Sequence, residues 1–393
     1  MYNLKLFDDT LLRFDLDKEL NVTNIGICND DIKLFPENLK DVNGENIKYY
    51  ILNKLVPKNR AYLENLLDAI NIELDNYKAI LDYSFGLSLI DAYWITRDDK
   101  LRYEDFNLFD NEVNKELSLT VFNGTKITIN STVLSPEFTT NGAIPKCWIK
   151  KDVGYYLYKS STAYLGFANT GFEPYSEYYS CQLLKQLDIP HIDYDLEMYQ
   201  GEIVSVCKIF TSKDIAYVPI HLVANIDNLD KAYRWCLEHK LDEAFGNMIL
   251  FDALIYNHDR HMGNFGILKD NHTGEILGMA PIFDNGAGLL AYTSLSKFKD
   301  LETFEDYYKN NHDFNMSNDW IDFRDHVINY CDDRHLYRLK KLNSFKFTKH
   351  DKYNLSDARL EYLNILIDYR IKELIDILTL EKRQKWQKSK MER

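Results

Sequence analysis

The clearest alternation of hydrophobic and polar positions lies in the middle of the chain. Gly154 to Lys159 is dense in aromatic residues, which predicts a strand. Glu173 to about Leu187 begins with a Glu-Pro pair and carries an apolar stripe, which predicts a helix. Ile203 to Phe210 is nearly all apolar and predicts a central strand, and Leu241 to Asn257 has the apolar content of a buried helix.

The two ends of the chain show other patterns. Residues 1 to about 55 alternate short apolar runs with Asn, Asp and Gly, which predicts small strands and turns. From Pro57 to about Leu81, apolar residues recur at spacings of three and four, which predicts a helix. Trp320 to Lys390 is mostly helical in pattern.

These elements predict an α+β chain in which a strand-rich lobe precedes a helical lobe. We place the strand-rich lobe at residues 131–212 and the helical lobe at residues 213–393. Residues 1–130 are expected to form an N-terminal accessory domain, because the pattern there differs and no chemistry can be read from it.

Composition narrows the class of protein. The chain has 393 residues, of which 45% are hydrophobic, enough for a buried core in two lobes. Its net charge of −14 argues against a nucleic-acid binder, whose surface needs clustered Lys and Arg. The six cysteines lack any Cys-x-x-Cys spacing, as is typical of reduced thiols. Without a signal-peptide pattern or a long apolar run, we expect a cytoplasmic protein that does not cross a membrane.

Candidate chemistry concentrates in NHDRHMGNFGIL and in the later IFDNG. Asp259 and Asn264 lie in a loop that leaves the buried helix, and Asn264 begins a predicted hairpin whose other strand ends at Asp284. The hairpin should therefore place Asn264 and Asp284 side by side. An amide oxygen and a carboxylate are hard ligands of the kind that magnesium takes beside phosphates. Asp259 is then placed to accept a proton from an incoming hydroxyl, as in protein kinases.

Upstream residues are candidates for binding ATP. Lys159 closes a strand and Glu177 lies on the following helix; in protein kinases such a lysine contacts the phosphates and such a glutamate holds it. The backbone around Cys207 to Phe210 is expected to meet the adenine, and His261 to touch phosphate or hold its loop. The turn from Thr139 to Lys146, which precedes the strand of Lys159, can form an anion nest from its backbone N–H groups. Its candidate residues are Thr140, Asn141, Gly142, Ala143 and Lys146.

These motifs resemble those of the HipA-like serine/threonine kinases. That family carries N-x-D-R-H-x-x-N and a later F-D-x-G, matched by Asn257 to Asn264 and by Phe283 to Gly286. Its phosphate loop reads roughly S-x-x-G-x-x-x-K, and Thr139 to Lys146 is similar, with Thr in the serine position. The resemblance implies a two-lobed protein-kinase-like fold, ATP and Mg²⁺ as cofactors, and a protein serine or threonine as acceptor.

The resemblance also implies roles for individual residues. Asp259 would be the catalytic base, Asn264 and Asp284 would hold magnesium, and Lys159 would contact ATP. Several family members are toxins of toxin–antitoxin pairs, which implies an antitoxin or another regulatory protein as partner. Some autophosphorylate the phosphate loop, which makes Thr139 and Thr140 candidate modification sites.

Three alternatives remain open on the sequence. His258, Asp259 and His261 could hold zinc for hydrolysis, although two histidines three apart on a loop are a poor tetrahedral set and no HExxH or paired Cys appears. The chain could instead be an inactive kinase fold used as a binding module, although the base, the metal ligands and Lys159 are all present. Lipid kinases of the phosphoinositide class share D-R-H-x-x-N and D-F-G, so a lipid or small-molecule acceptor is also compatible with the motif.

Overall fold

The computed structural model describes residues 1–166, 170–223, 226–297, 300–310, 317 and 321–391. The chain forms two compact units, each built from separate stretches of sequence. Unit 1 comprises Met1–Ser160, Cys207–Ile226 and Gly266–Ala280. Unit 2 comprises Ser161–Val206, Asp227–Phe265 and Pro281–Arg393.

The strands lie mainly in unit 1 and are short. Their bounds are β1 (Tyr2–Leu6), β2 (Asp9–Leu16), β3 (Val22–Ile27), β4 (Tyr93–Thr96), β5 (Lys146–Lys151), β6 (Gly154–Lys159), β7 (Tyr194–Tyr199), β8 (Glu202–Lys208), β9 (Ile215–Pro219), β10 (Gly266–Asp270) and β11 (Ile276–Met279).

The longer helices lie in unit 2. The helices are α1 (Gly44–Lys54), α2 (Leu63–Asp68), α3 (Tyr77–Ser84), α4 (Tyr103–Phe106), α5 (Lys115–Asn123), α6 (Glu173–Leu187), α7 (Leu229–Glu238), α8 (Asp242–Ile255), α9 (Leu301–Asn310), α10 (Phe323–Tyr330), α11 (Asp333–Leu339) and α12 (Asp357–Met391). The α+β class predicted from the sequence is confirmed. None of the described helices has the length and apolar character that a membrane crossing requires.

In unit 1, strands β1 to β4 form an antiparallel sheet in the order β3-β2-β1-β4. A second sheet has the order β11-β10-β9. Strands β5 and β6 form a hairpin in which Lys146 lies opposite Lys159. Strands β7 and β8 are hydrogen-bonded neighbours, and β8 begins in unit 2 and ends in unit 1.

Several predicted elements are confirmed. β6 and α6 have the predicted bounds, and α6 ends where Asp188 adopts a left-handed conformation with φ +58°. The predicted hairpin before Asp284 is also present, because β10 pairs antiparallel with β11. Its turn is held by the Asp270 carboxylate, which accepts the N–H groups of His272 and Thr273 at 2.8 Å each.

Other predicted elements need correction. The single helix expected from Pro57 to about Leu81 is two helices, α2 and α3, separated by a turn in which Asn71 has φ +57°. Asn76 then caps α3 by accepting the N–H of Ala79 at 3.0 Å.

The strands predicted for residues 1 to 55 stop at Ile27, and α1 follows because Asn43 caps its first turn. Trp320, where helical pattern was predicted to begin, lies outside the described residues.

Two boundaries shift inward. β8 ends at Lys208 instead of Phe210, and α8 ends at Ile255 instead of Asn257. The end of α8 is set by Tyr256, which adopts a left-handed conformation with φ +55°. This reversal starts the loop that carries the D-R-H-x-x-N motif.

Candidate active site

The loop that follows α8 begins at the buried end of that helix. From Phe245 to Ile255 every residue of α8 is buried, so the start of the loop is fixed by the core of unit 2. Asn257 lies at the head of the loop, where its backbone N–H donates to the Asp252 carbonyl at 3.0 Å. The loop then continues as Asp259 to Asn264.

Arg260 is the central buried cation of this loop. Its side chain and that of Asp252 are only 6% and 5% exposed. The Arg260 Nε donates to Asp252 Oδ2 at 2.9 Å, and Nη2 donates to Oδ1 at 3.0 Å. Asn257 Nδ2 donates to the same carboxylate at 2.9 Å. A buried aspartate within an apolar helix is thus satisfied from the loop that follows it.

The free edge of the same guanidinium joins two segments. Arg260 Nη1 donates to the Asn264 carbonyl at 3.0 Å and to the Phe283 carbonyl at 2.5 Å. Nη2 also donates to Asn285 Oδ1 at 2.8 Å. One planar side chain therefore holds the D-R-H-x-x-N loop against F-D-N-G, which a single point charge could not do.

The electrostatics keep this bridge charged. Burial alone would lower the pKa of Arg260, but the charge of Asp252 and the hydrogen bonds to it outweigh burial and raise the pKa above its ordinary value. The Arg260 guanidinium therefore remains positively charged in its buried position.

The F-D-N-G segment is also fixed from α6. Asp284 adopts a left-handed conformation with φ +58°, which is uncommon for a residue with a side chain and persists where neighbouring bonds hold it. The next residue supplies those bonds. The Asn285 N–H donates to Glu177 Oε2 at 2.7 Å, and Ser176 Oγ donates to the Asn285 carbonyl at 2.7 Å.

Asp259 and Asn264 differ in exposure. Asp259 is exposed, whereas Asn264 is buried and donates through Nδ2 to the Asp259 carbonyl at 3.4 Å. Because the amide nitrogen of Asn264 makes this bond, its side-chain oxygen Oδ1 is the atom that would bind a cation. The exposed His261 accepts the Gly263 N–H at 3.0 Å through Nδ1, so it holds the loop. Its contact with phosphate stays a prediction.

Two arginines of α12 support the ends of these segments in unit 2. Arg370 donates to the Ala253 carbonyl at 2.9 Å and lies 4.0 Å from the Tyr256 ring centroid, where α8 ends. Arg359 donates to the Thr293 carbonyl at 2.9 Å, beyond F-D-N-G, and lies 3.7 Å from the Phe172 ring centroid. Burial lowers the pKa of Arg359 to about 10. Helix α12 thus contacts the chain just before the D-R-H-x-x-N loop and again after the F-D-N-G segment.

The candidate phosphate loop lies in unit 1, between Phe138 and β5. Thr139 Oγ1 donates to the Leu87 carbonyl at 2.8 Å, and Thr140 Oγ1 donates to the Pro136 carbonyl at 2.7 Å. Both threonines therefore support the turn through side-chain-to-backbone hydrogen bonds. Asn141 and Ala143 are exposed at its tip.

Gly142 and Lys146 are in close approach within this loop. Gly142 has φ +95°, and a Cβ at this position would lie 2.1 Å from Lys146 Nζ. A side chain at residue 142 would therefore force the ammonium group to move. The lysine tip lies directly over the loop backbone.

Lys146 and Lys159 form a cross-strand pair. They are opposite each other in the β5–β6 register, and they are only 7% and 5% exposed. Directly opposed like charges are unfavourable in a sheet unless anionic groups lie near them, and Lys146 interacts electrostatically with the buried carboxylate of Glu137. This pairing was not foreseen from the sequence, which placed the two lysines in separate roles.

The remaining predicted ATP contacts are placed as follows. Cys207 is buried near the end of β8, and the next residues run beside β6, where the Ile209 N–H donates to the Tyr155 carbonyl at 3.0 Å. Phe210 packs edge-on against Tyr217, with ring centroids 5.5 Å apart. Contact of this backbone with adenine stays a prediction.

The structure brings some predicted site residues together and leaves others in separate units. Asp259, His261 and Asn264 share one loop, and Arg260 links that loop to the segment of Asp284. Glu177 lies in unit 2 and contacts the same segment through Asn285. Its predicted pairing with Lys159, which lies in unit 1, stays a prediction.

The zinc alternative lacks a ligand set. Among the residues that the structure describes, which include His258, Asp259 and His261, no group of three or more His, Cys, Asp and Glu side chains is placed to hold a metal ion. An amide oxygen and a carboxylate, as Asn264 and Asp284 offer, are of the kind that fits magnesium, which takes its other ligands from water and phosphate.

Comparisons with known proteins bear on the fold and the family. No protein-family model matches the chain. A segment of 131 aligned residues is 30% identical to the serine/threonine-protein kinase CtkA of Helicobacter pylori strain J99. That match covers 29% of this chain and 40% of CtkA, so it spans less than half of the relative's length.

Solved structures extend the likeness. The crystal structure of the Helicobacter pylori proinflammatory kinase CtkA matches with a TM-score of 0.52 at 20% identity, over 64% of this chain and 96% of that one. A chain of the Shewanella oneidensis HipA toxin–antitoxin complex with HipB and operator DNA matches with a TM-score of 0.56 at 10% identity. The second match covers 96% of this chain and 99% of that one. The chain therefore has the fold of the HipA-like kinases, and the resemblance to that serine/threonine kinase family predicted from its motifs is confirmed.

Proposed function

We propose that this chain is an ATP- and Mg²⁺-dependent kinase that transfers the γ-phosphate to a serine or threonine hydroxyl of a protein. The observation that carries the proposal is the Arg260 bridge, which holds the Asn264 carbonyl and the Phe283 carbonyl on one guanidinium. This bridge fixes the segment of Asp259 and Asn264 to the segment of Asp284, which supports the proposal. The partial sequence match to a serine/threonine kinase supports the same reaction.

Each residue has a distinct role in this proposal. The exposed Asp259 accepts the proton of the incoming hydroxyl, and Asn264 and Asp284 hold magnesium through their side-chain oxygens. Bound magnesium neutralises the charge of the phosphates. Lys146 and Lys159 supply two further positive charges to the phosphates, and Glu177 orients Lys159 as well as the Asn285 backbone.

The proposal extends to domain roles and partners. Residues 131–212 would bind ATP, residues 213–393 would carry the catalytic loop, and residues 1–130 would be accessory. Because the matched HipA structure contains HipB, a regulatory protein of the antitoxin type is the proposed partner. We place the chain in the cytoplasm, without direct contact to nucleic acid or membrane.

The acceptor class can be tested in cells. Phosphoproteomes of cells expressing the wild-type chain or Asp259→Ala would be compared at equal expression. We expect phosphoserine or phosphothreonine sites that depend on Asp259. An unchanged phosphoproteome together with a phosphorylated lipid or metabolite would favour the small-molecule kinase alternative, and no ATP turnover at all would favour the inactive binding module.

We also propose self-modification of the phosphate loop at Thr139 or Thr140. A phosphate group adds about −1.5 to −2 charges. It would also break the hydrogen bonds of these hydroxyls to the Leu87 and Pro136 carbonyls. The loop should then leave its position and the enzyme should lose activity.

Mass spectrometry after incubation with Mg²⁺ and ATP measures this modification. Phosphate on Thr139 or Thr140 in the wild type, absent from Asp259→Ala, is the expected result. An unmodified loop in a chain that phosphorylates other proteins would show that the two threonines serve only to support the turn.

A further inference from the structure

Arg60 and Glu137 form a fully buried ion pair in unit 1. Arg60 lies in the segment between α1 and α2, and Glu137 lies two residues before Thr139, where the candidate phosphate loop begins. The Arg60 Nη2 lies 2.5 Å from Glu137 Oε2, and the two side chains are 1% and 0% exposed. A buried arginine in the N-terminal region therefore pairs with a residue just before a loop that is distant from it in the sequence.

The same guanidinium binds the loop backbone. Arg60 Nη1 donates to the Thr140 carbonyl at 2.7 Å, and Nη2 donates to the Lys146 carbonyl at 3.1 Å. The neighbouring Ala61 N–H donates to the Ala143 carbonyl at 3.0 Å. Three carbonyl groups at the start, middle and end of the loop are thus turned toward residues 60 and 61.

The carbonyl directions determine where the loop N–H groups point. In a trans peptide the C=O and the N–H face opposite ways. Because the Thr140 and Ala143 carbonyls face residues 60 and 61, the N–H groups of Asn141 and Ile144 face away from them. Outward N–H groups in a tight turn are the donors with which a backbone binds phosphate.

Glu137 also binds β5, the strand that begins at Lys146. Its Oε1 accepts the Trp148 N–H in β5 at 2.8 Å. Trp148 Nε1 in turn donates to Thr140 Oγ1 at 3.0 Å. We call Arg60 and Glu137, with the loop carbonyls and the Trp148 N–H that they hold, the loop clamp.

We infer that Arg60 is a positioning residue for ATP, which sets the phosphate loop from the N-terminal region through the loop clamp. The inference rests on the proposed kinase function and deepens it. It gives residues 1–130 an indirect part in nucleotide binding, through the loop that Arg60 positions.

The test compares two mild variants of the clamp with a matched control in the full chain. Arg60→Lys keeps the charge but cannot reach two carbonyls and a carboxylate together. Glu137→Gln keeps the shape but removes the charge. Lys54→Met breaks another buried pair of unit 1, with Asp91, whose hydrogen bonds go to Ser88 and Tyr93.

Two readouts separate positioning from stability. Steady-state kinetics should show a rise of about tenfold or more in the KM for ATP in both clamp variants, with kcat within about threefold. Hydrogen exchange of the peptide spanning residues 139–146 should accelerate in the same variants. Lys54→Met should lower Tm and leave the KM for ATP and this peptide's exchange unchanged.

A KM for ATP that stays at the wild-type value in both clamp variants would overturn the inference and leave the kinase proposal intact. An equal rise of this KM in Lys54→Met would also overturn it, because the effect would then follow from general destabilisation. Absence of ATP-dependent transfer by the wild-type chain would instead overturn the proposed function, and the inference with it.

Discussion

The Asp284→Ala variant is expected to lose phosphoryl transfer by roughly a hundredfold or more, as removal of a metal ligand does. It should also weaken the binding of ATP in the presence of Mg²⁺, because Asp284 supplies the one carboxylate of the proposed metal pair. Initial rates and calorimetric titration with Mg²⁺ and ATP measure the two effects separately.

Asp259→Ala should affect turnover but not ATP binding. Turnover should again fall by about a hundredfold or more, since a positioned base contributes that much, but ATP binding should remain near the wild-type value. Asp270→Ala, on the turn of the adjacent hairpin, is the matched control and should keep normal turnover. Wild-type turnover in both Asp259→Ala and Asp284→Ala would show that the site is wrongly assigned.

The second large effect is expected at Arg260. Arg260→Met should lower the free energy of unfolding by about 3–5 kcal/mol, because it leaves the buried Asp252 without its cation. Activity should be lost as well, since the loop of Asn264 is released from the Phe283 segment. Chemical denaturation followed by fluorescence gives the stability, and the transfer assay gives the activity.

Arg334→Met is the matched control in the same unit. Arg334 pairs with Asp332 and Asp242 at 2.6 Å each, but its side chain is 44% exposed, so the loss should be no more than about 1 kcal/mol. Arg260→Lys should retain more stability than Arg260→Met while remaining poorly active, because an ammonium group cannot span all the acceptors. Equal stability of Arg260→Met and the wild type would contradict the bridge.

The local elements could be predicted because their signals are local. The Glu-Pro start of α6 and the aromatic density of β6 fix their bounds, and the hairpin before Asp284 follows from two short apolar runs around a turn. Asp259 and Asn264 lie in the loop between α8 and β10, and Asp284 lies beyond β11, while the roles predicted for these three residues stay predictions.

The supports of the site could not be predicted because they join residues that are distant in sequence. Asp252 did carry a signal, since a carboxylate inside the otherwise apolar α8 needs a buried partner, and Arg260 is that partner. Arg60 and Glu137 carry no such signal, because both lie in segments of mixed composition and meet only through the fold.

The error between Pro57 and Leu81 has a similar physical cause. Apolar spacing of three and four continues through both α2 and α3, but the pattern does not record that Asn71 reverses the backbone between them. Asparagine tolerates the left-handed conformation, so the break costs little. Hydrophobic periodicity reports which residues are buried and leaves open whether one helix buries them.

The most direct measurement is phosphoamino-acid analysis after incubation of the purified chain with γ-labelled ATP, Mg²⁺ and a protein mixture. The proposal predicts label in phosphoserine or phosphothreonine that requires Mg²⁺ and disappears with Asp259→Ala. Label that persists in Asp259→Ala, or a wild-type chain that transfers none to any protein, would contradict it.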